Sequence, residues 1–133
     1  MKKIHVEGDP KLKNSIGKQY SMFVGRFQPF HQGHKWVIEE ILKDGKNVLI
    51  CIRDIEPDEK NPFTAIDVER NIKNELWKYL TEEKVKVMII PDIDSISFGR
   101  GVGYDIVEYM PPQDVSDISA TKIREQLKKD GKL

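Results

Sequence analysis

The sequence predicts a single α/β domain built on a parallel sheet with helices on both faces. Short apolar stretches alternate with segments in which apolar residues repeat at helical spacing, the pattern of strands joined by helical crossovers. The second stretch is apolar at successive positions, as a strand is when both faces of its sheet are covered. The length of 133 residues suits one domain and leaves little room for a second.

The first half of the chain predicts two strands and a helix. Residues 20–24 form the first strand candidate, which Gly25 stops. Residues 33–43 carry apolar side chains at helical spacing, so we expect a helix there. Residues 47–53 form the second strand candidate, and Cys51 within it is expected to be a small buried side chain.

The second half predicts a long helix, two further strands and a final helix. A helix is expected over residues 64–80, where an apolar stripe follows a threonine cap. Strands are expected at residues 85–90 and 104–109, separated by a Gly- and Ser-rich loop at residues 92–103. Ser119 is the predicted cap of the final helix.

The start of the chain and its cysteine content bear on organisation and location. Residues 1–18 show no clear periodicity, so we expect an N-terminal tail or a short additional strand around residues 4–6. Residues 19–133 are expected to form the domain. The start of the chain has no apolar signal-peptide region, and a single cysteine fits a reducing compartment, so we expect a cytoplasmic protein.

The charge balance limits the classes of partner. The 22 Lys and Arg residues equal the 22 Asp and Glu residues, and a general nucleic-acid binder usually carries a basic excess. No apolar run approaches the roughly 20 residues that span a bilayer. We therefore expect neither a nucleic acid nor a membrane as partner. Small anionic ligands stay open, because a few local cations can hold a phosphate whatever the total charge.

The segment from Gly25 to His34 lies where the first strand turns into the first helix. A helix N-terminus offers free backbone N–H groups and the positive end of the helix dipole, which together suit an anion. His31 and His34 can donate hydrogen bonds to phosphate oxygens, Arg26 adds a charge, and Gly33 allows close backbone approach. Helix capping, turn formation and metal binding are alternative readings. The residues alone leave a phosphate site and an ordinary loop about equally favoured.

A second segment of this kind opens the final helix. Ser119 and Thr121 supply hydroxyls, and Lys122 and Arg124 supply cations, of which arginine can bind phosphate through two donors. The alternative is a capped amphipathic helix with a solvated basic face. Two such sites at the carboxyl edge of one parallel sheet would together span a triphosphate.

These two segments resemble the motifs of the nucleotidyltransferase superfamily, whose members are cytidylyltransferase-like. Residues 31–34 resemble its His-x-Gly-His motif, and residues 118–124 resemble its Ile-Ser-Ser-Thr-x-x-Arg motif, with Ala120 in place of one serine. The resemblance extends over about residues 20–127. It implies a Rossmann-like fold and transfer of a nucleoside monophosphate from a nucleoside triphosphate to a phosphorylated acceptor, with release of pyrophosphate.

The resemblance also implies roles for individual residues. His34 would contact the α-phosphate and His31 the pyrophosphate side, while Arg124 would stabilise the leaving group. The predicted catalytic residues are His31, His34, Lys122 and Arg124, and the predicted nucleotide-binding residues are Gly25, Arg26, Phe27, Gly33, Ser119 and Thr121. Mg²⁺ is expected to bridge the phosphates through their own oxygens and water, without dedicated protein ligands.

The sequence leaves the choice between AMP and CMP, from ATP or CTP, open. Residues 25–34, 61–64 and 90–93 resemble the adenylyl-transferring branch that makes NAD from nicotinamide mononucleotide. The short stretch after Arg124 and the loop at residues 94–104 are closer to compact cytidylyltransferases. In that loop Arg100 is expected to bind the phosphate of a small acceptor, and Phe98 and Tyr104 are expected to line its pocket.

Two other functions compete with the enzyme. A nucleotide-binding sensor or regulatory module would keep the pocket without turnover. An RNA-linked function would follow from the related motif of aminoacyl-tRNA synthetases, but 133 residues leave no room for an anticodon-binding domain. The presence of both motif histidines favours the enzyme. A homodimer is expected only by analogy with the family.

Overall fold

The computed structural model describes residues 17–101 and 103–133. These residues form three strands and five helices, which alternate along the first part of the chain. In chain order the elements are β1 (Tyr20–Gly25), α1 (Gln32–Lys43), β2 (Asn47–Asp54), α2 (Ala65–Glu75), α3 (Trp77–Thr81), β3 (Val85–Pro91), α4 (Gln113–Ser116) and α5 (Ala120–Lys129).

The three strands form one parallel sheet in the order β1-β2-β3. The register sets Gly25 beside Ile52 and Ile52 beside Ile89. Because the strands are parallel and aligned, the loops that follow β1, β2 and β3 all begin at the same edge. The predicted α/β class and parallel sheet are confirmed.

The core lies between the central strand and the two crossover helices. Val48, Ile50 and Ile52 alternate along β2 with no exposed surface, so they share one face of the sheet. Ile38 of α1 and Ile72 of α2 belong to the same apolar cluster. Right-handed crossovers in a sheet of order 1-2-3 bring successive helices to one face, so α1 and α2 lie side by side there.

The opposite face of the sheet carries the residues between these core positions. Met22 on β1 is 60% exposed and Met88 on β3 is 43% exposed. Cys51 also points to this face and is fully buried, as the sequence predicts, and burial raises the pKa of its thiol. Within the described residues, therefore, the two long crossover helices cover only one face.

The helix predicted over residues 64–80 is two helices. Thr64 caps α2 as expected, its hydroxyl accepting a hydrogen bond from the Asp67 N–H at 3.2 Å. The chain leaves helical geometry at Leu76, where φ is −113° and ψ is 18°. Leu76 is 1% exposed whereas Trp77 is 69% exposed. Leu76 continues the apolar stripe of α2 into the core, four residues after the buried Ile72. The hydrophobic pattern predicts this burial but not the interruption of the helix.

The strand predicted at residues 104–109 is wrong. This segment is extended but pairs with no strand among the described residues, and Tyr104 and Ile106 are 77% and 83% exposed. Alternating apolar residues form a strand only where a neighbouring edge is available. Tyr109 ends the segment by packing against the core, and its hydroxyl donates to Asp44 Oδ2 at 2.8 Å.

The strand suggested at residues 4–6 lies outside the described residues, and the domain boundary after residue 18 stays a prediction. Lys18, just before β1, forms an ion pair with Glu83, its Nζ 3.3 Å from Glu83 Oε2. Across the described part of the chain, none of the helices has the length and apolar character needed to cross a bilayer.

Candidate functional site

The loop between β1 and α1 is organised around two buried aromatic rings. Phe27 and Phe30 are 3% and 6% exposed, and their rings meet edge to face at 5.9 Å. Phe27 takes a left-handed backbone conformation with φ of 52°. A Cβ on Gly25 would lie 2.9 Å from Phe27 Cζ. Gly25 is therefore needed to accommodate this ring, and Phe27 supports the loop from beneath.

His31 and His34 cap α1 in a reciprocal arrangement. The Gly33 N–H donates to His31 Nδ1 at 3.0 Å, and the His31 N–H donates to His34 Nδ1 at 3.1 Å. An Nδ1 that accepts a hydrogen bond carries no proton, so each neutral ring carries its proton on Nε2. The helix cap thus selects the tautomer of both histidines. Each has one N–H donor that the cap does not use.

The two imidazoles form a stack that continues into the aromatic core. Their ring centroids lie 3.8 Å apart with planes 23° from parallel. The His34 ring also stacks on Phe30 at 5.6 Å and meets Phe27 edge to face at 4.9 Å. These contacts fix the His34 ring in one orientation.

Both histidines are held in the neutral form. Burial, followed by the charge of His31, lowers the pKa of His34 to about 3. Burial also lowers the pKa of His31. At neutral pH both rings are therefore N–H donors without a net charge. Beside the free N–H groups of a helix N-terminus, such donors suit an anion.

The final helix reaches this loop through Arg124. Arg124 Nη1 donates to the Gln28 carbonyl at 2.6 Å, and Nη2 donates to Thr121 Oγ1 at 3.3 Å. Ser119 caps α5 as predicted, its hydroxyl accepting the Lys122 N–H at 3.4 Å. The structure thus brings together the two segments that the sequence singled out, although the bonded residues Gln28 and Arg124 are separated by 96 positions.

The remaining predicted cations are less constrained. Arg26 and Lys122 are exposed. Hydrogen bonds from Asn61 lower the pKa of Asp58, and the charge of Arg26 adds to this effect. Arg26 therefore lies near an acidic side chain of the loop after β2.

The predicted acceptor residues lie in an irregular stretch after β3. Phe98 is 63% exposed and Arg100 is also exposed. A shallow concavity of about 420 Å³ lies at the start of the same stretch, lined by residues 92–95. Arg53 contacts two of these lining residues, with Nη2 2.7 Å from Asp92 Oδ1 and 3.1 Å from the Ile93 carbonyl. The acceptor roles stay predictions.

Sequence reasoning missed two polar residues of this edge, Gln28 and Arg53. Gln28 lies inside the first motif, between two phenylalanines. The sequence carries no signal of its role, and only the burial of its amide in the structure indicates one. Arg53 is the penultimate residue of β2, and its partner Asp92 lies 39 residues further along the chain. Within residues 17–101 and 103–133, no three His, Cys, Asp or Glu side chains cluster as a metal site.

Gly33→Ala is expected to lower kcat/KM roughly 10- to 100-fold, the order of effect of misplacing a catalytic group. A Cβ at this position would lie 2.8 Å from His31 Cε1 and 3.0 Å from His31 Nδ1. The His31 ring would have to leave its stack, and steady-state kinetics would report the loss. Alanine favours helix by about 0.5–1 kcal/mol, which offsets part of the strain, so denaturation should show a smaller change. Unchanged kinetics would show that the stacked position of His31 is not required.

The chain is similar to known proteins over part of its length. Residues 22–74 match the cytidylyltransferase-like family. Nicotinamide-nucleotide adenylyltransferase from Methanolobus tindarius is 35% identical over 97 residues, covering 71% of this chain and 53% of the relative. The same enzyme from Archaeoglobus fulgidus is 34% identical over 101 residues, covering 71% and 56%.

A solved structure agrees with these relatives. The bifunctional NMN adenylyltransferase/ADP ribose pyrophosphatase from Francisella tularensis superposes with a TM-score of 0.50 at 33% identity, over 56% of this chain and 23% of that chain. The chain spans about half the length of the two curated relatives described above. The predicted resemblance to the nucleotidyltransferase superfamily, and to the adenylyltransferases within it, is confirmed.

Proposed function

We propose that this chain binds ATP and transfers its adenylyl group to a small phosphorylated acceptor, releasing pyrophosphate. The observation that carries the proposal is the reciprocal histidine cap of α1, joined to Arg124 of α5. This arrangement gathers neutral N–H donors, a helix N-terminus and a guanidinium, a donor set suited to a chain of phosphates. The names of the relatives, nicotinamide-nucleotide adenylyltransferases, favour ATP over CTP.

In the proposed reaction an acceptor phosphate oxygen attacks the α-phosphorus in line with the leaving group. A bond forms between this oxygen and phosphorus as the bond from the α-phosphorus to the bridging oxygen breaks, and the electron pair leaves with pyrophosphate. Reactions of this kind ask the protein mainly for positioning and charge stabilisation. His34 donates its Nε2 proton as a hydrogen bond to the α-phosphate, and His31 donates to the pyrophosphate side.

Arg124 is proposed to hold the leaving pyrophosphate. Its guanidinium has five N–H donors, and the Gln28 carbonyl and Thr121 hydroxyl engage one each on two different nitrogens. The other donors are available to phosphate oxygens. Ser119, Thr121 and Lys122 lie at the start of the same helix and are proposed to extend the site along the β- and γ-phosphates.

Mg²⁺ is proposed to arrive with the nucleotide. The side chains that this site gathers are hydrogen-bond donors, and none of His31, His34 and Arg124 is a hard oxygen ligand of the kind Mg²⁺ prefers. The donor set therefore fits a cation carried by phosphate oxygens and water. Bound there, Mg²⁺ would neutralise part of the phosphate charge.

For the acceptor we propose a nucleotide monophosphate of the nicotinamide class, bound beyond β3. Arg100 would pair with its phosphate, and Phe98 and Tyr104 would contact its base. The exposure of these side chains leaves them accessible to a ligand. The similarity to nicotinamide-nucleotide adenylyltransferases supports this class. Homodimer formation and a cytoplasmic location stay predictions.

A pyrophosphate-release screen tests the proposed function. It crosses ATP, CTP, GTP and UTP with nicotinamide mononucleotide, glycerol 3-phosphate, phosphopantetheine and phosphocholine, and mass spectrometry identifies each product. We expect signal with ATP and nicotinamide mononucleotide. Pyrophosphate release with CTP and glycerol 3-phosphate alone would contradict adenylyl transfer and identify a cytidylyltransferase. Nucleotide binding without release in any combination would identify a binding module instead.

A further inference from the structure

Gln28 carries a buried amide. Its side chain is 4% exposed, and it lies between the buried Phe27 and Phe30 in sequence. Burying an amide away from water costs stability unless its donor and acceptor are both satisfied. Methionine fills a similar volume without this cost. The presence of a glutamine here therefore calls for a role that a hydrocarbon side chain would not perform.

The side chain of Gln28 clasps the backbone of Phe63. Gln28 Nε2 donates to the Phe63 carbonyl at 3.0 Å, and the Phe63 N–H donates to Gln28 Oε1 at 2.9 Å. The two bonds join the loop after β1 to the loop after β2, 35 residues apart. Only a side chain with both a donor and an acceptor can make this pair.

The loop that Gln28 clasps is itself held by a network around Asp58. Asp58 Oδ1 accepts hydrogen bonds from the Lys60 N–H at 2.8 Å, the Asn61 N–H at 2.7 Å and Asn61 Nδ2 at 3.1 Å. The Asp58 N–H donates to the Asn61 carbonyl at 3.0 Å. Gln28 is therefore attached to a well-braced loop and not to a free segment.

The backbone of Gln28 faces the second motif. Its carbonyl accepts the 2.6 Å hydrogen bond from Arg124 Nη1. A free arginine side chain has many rotamers, and fixing one of them costs conformational entropy. A carbonyl already held in place by the Phe63 clasp preselects one orientation of the guanidinium.

We propose that Gln28 is a positioning residue of the transfer reaction, which acts through Arg124. Its side chain anchors the loop after β1 to Phe63, and its carbonyl then holds the Arg124 guanidinium against the loop that carries the histidine stack. This inference rests on the proposed function. Loss of the two hydrogen bonds between Gln28 and Phe63 would lower the rate because Arg124 would lose its orientation.

A double-mutant cycle tests this coupling. Gln28→Met keeps the volume and removes the clasp, Arg124→Met removes the guanidinium, and the double variant combines them. We expect Gln28→Met to lower kcat/KM roughly 10- to 100-fold, as misplacement of a catalytic group does. In the Arg124→Met background the same change should have little further effect, because neighbours that act as one unit are not additive. Full additivity would overturn the proposal.

Gln28→Glu supplies a second readout that a merely structural role would not produce. A carboxylate at this position accepts the Phe63 N–H but repels the Phe63 carbonyl, whereas the protonated acid restores both bonds. We expect the kcat of this variant to rise as the pH falls from about 8 to about 6, relative to wild type, since burial favours the neutral acid. The expected rise should disappear in the Arg124→Met background. A pH profile of Gln28→Glu that runs parallel to that of the wild type would contradict the inference. This test stays decisive even if Gln28→Met does not fold.

Gln19→Met is the matched control. Gln19 is exposed and lies just before β1, at the edge of the sheet away from the site, so the same substitution should leave the kinetics unchanged. Failure of the proposed function can be distinguished from failure of the proposed role of Gln28. A wild-type chain without turnover overturns the proposed function and this inference with it. An active wild type with an additive cycle overturns only the role of Gln28.

Discussion

His34→Asn is expected to lower kcat roughly 10²- to 10³-fold, the effect of removing one preorganised donor to a developing charge. The asparagine Oδ1 can take the place of His34 Nδ1 and keep accepting the His31 N–H, a bond of 3.1 Å in the wild type. The Nε2–H that we assign to the α-phosphate has no equivalent in asparagine. Helix capping is therefore largely kept while the donor is lost, and steady-state kinetics with ATP measures the result.

Two further variants separate capping from donation at this position. His34→Gln places an amide N–H nearer the Nε2 position but loses the acceptor of the cap. His34→Ala loses both and also leaves space against Phe27 and Phe30, so it should be the least stable of the three. We expect glutamine to keep more activity than asparagine at equal fraction folded. An asparagine variant with wild-type kcat would refute the assignment of His34 to the reacting phosphate.

The free energy of unfolding is expected to fall as the pH drops below about 6.5, the ordinary pKa of histidine. In the folded chain burial and the charge of His31 lower the pKa of His34 to about 3. Between these two values the unfolded chain binds a proton that the folded chain does not. His34 therefore imposes no penalty above the unfolded pKa, and stability is lost progressively down to the folded pKa. The slope is at most about 1.4 kcal/mol per pH unit.

Urea unfolding at about pH 7 and about pH 5 measures this loss, with the expected difference on the order of 2 kcal/mol from His34. His31, whose pKa burial also lowers, acts in the same direction. His34→Asn removes one of the two titrations and should flatten the dependence on pH. A variant as acid-sensitive as the wild type would show that His34 is not the group responsible. Carboxylates titrate in both proteins and cancel in the comparison.

Local signals in the sequence predicted much of the fold and of the site. The strand at residues 47–53 follows from a short apolar run, and the cap at Ser119 follows from a serine placed just before a helical pattern. The histidine pair was visible because both members lie within one helical turn. Arg124 does reach the loop that holds this pair, through the Gln28 carbonyl, although the strand expected at residues 104–109 pairs with no described strand.

The features that the sequence did not reveal depend on contacts between distant segments. The Gln28 clasp on Phe63 joins residues 35 apart, and no local pattern specifies a partner at that distance. The segment at residues 104–109 has the composition of a strand but no neighbouring edge among the described residues. The need for glycine at position 33 also depends on the folded structure, because only the position of the His31 ring shows that a Cβ would collide with it.

Equilibrium binding of inorganic triphosphate with Mg²⁺, followed by calorimetry, tests most directly whether the two motifs form one phosphate site. It requires no acceptor and no turnover. We expect one triphosphate per chain, with Arg124→Met and Gly33→Ala each weakening binding about tenfold or more, or roughly 1.4 kcal/mol. Gln19→Met should bind like the wild type. Absence of binding, or affinity unchanged by both site substitutions, would contradict a shared triphosphate site at the histidine stack and Arg124.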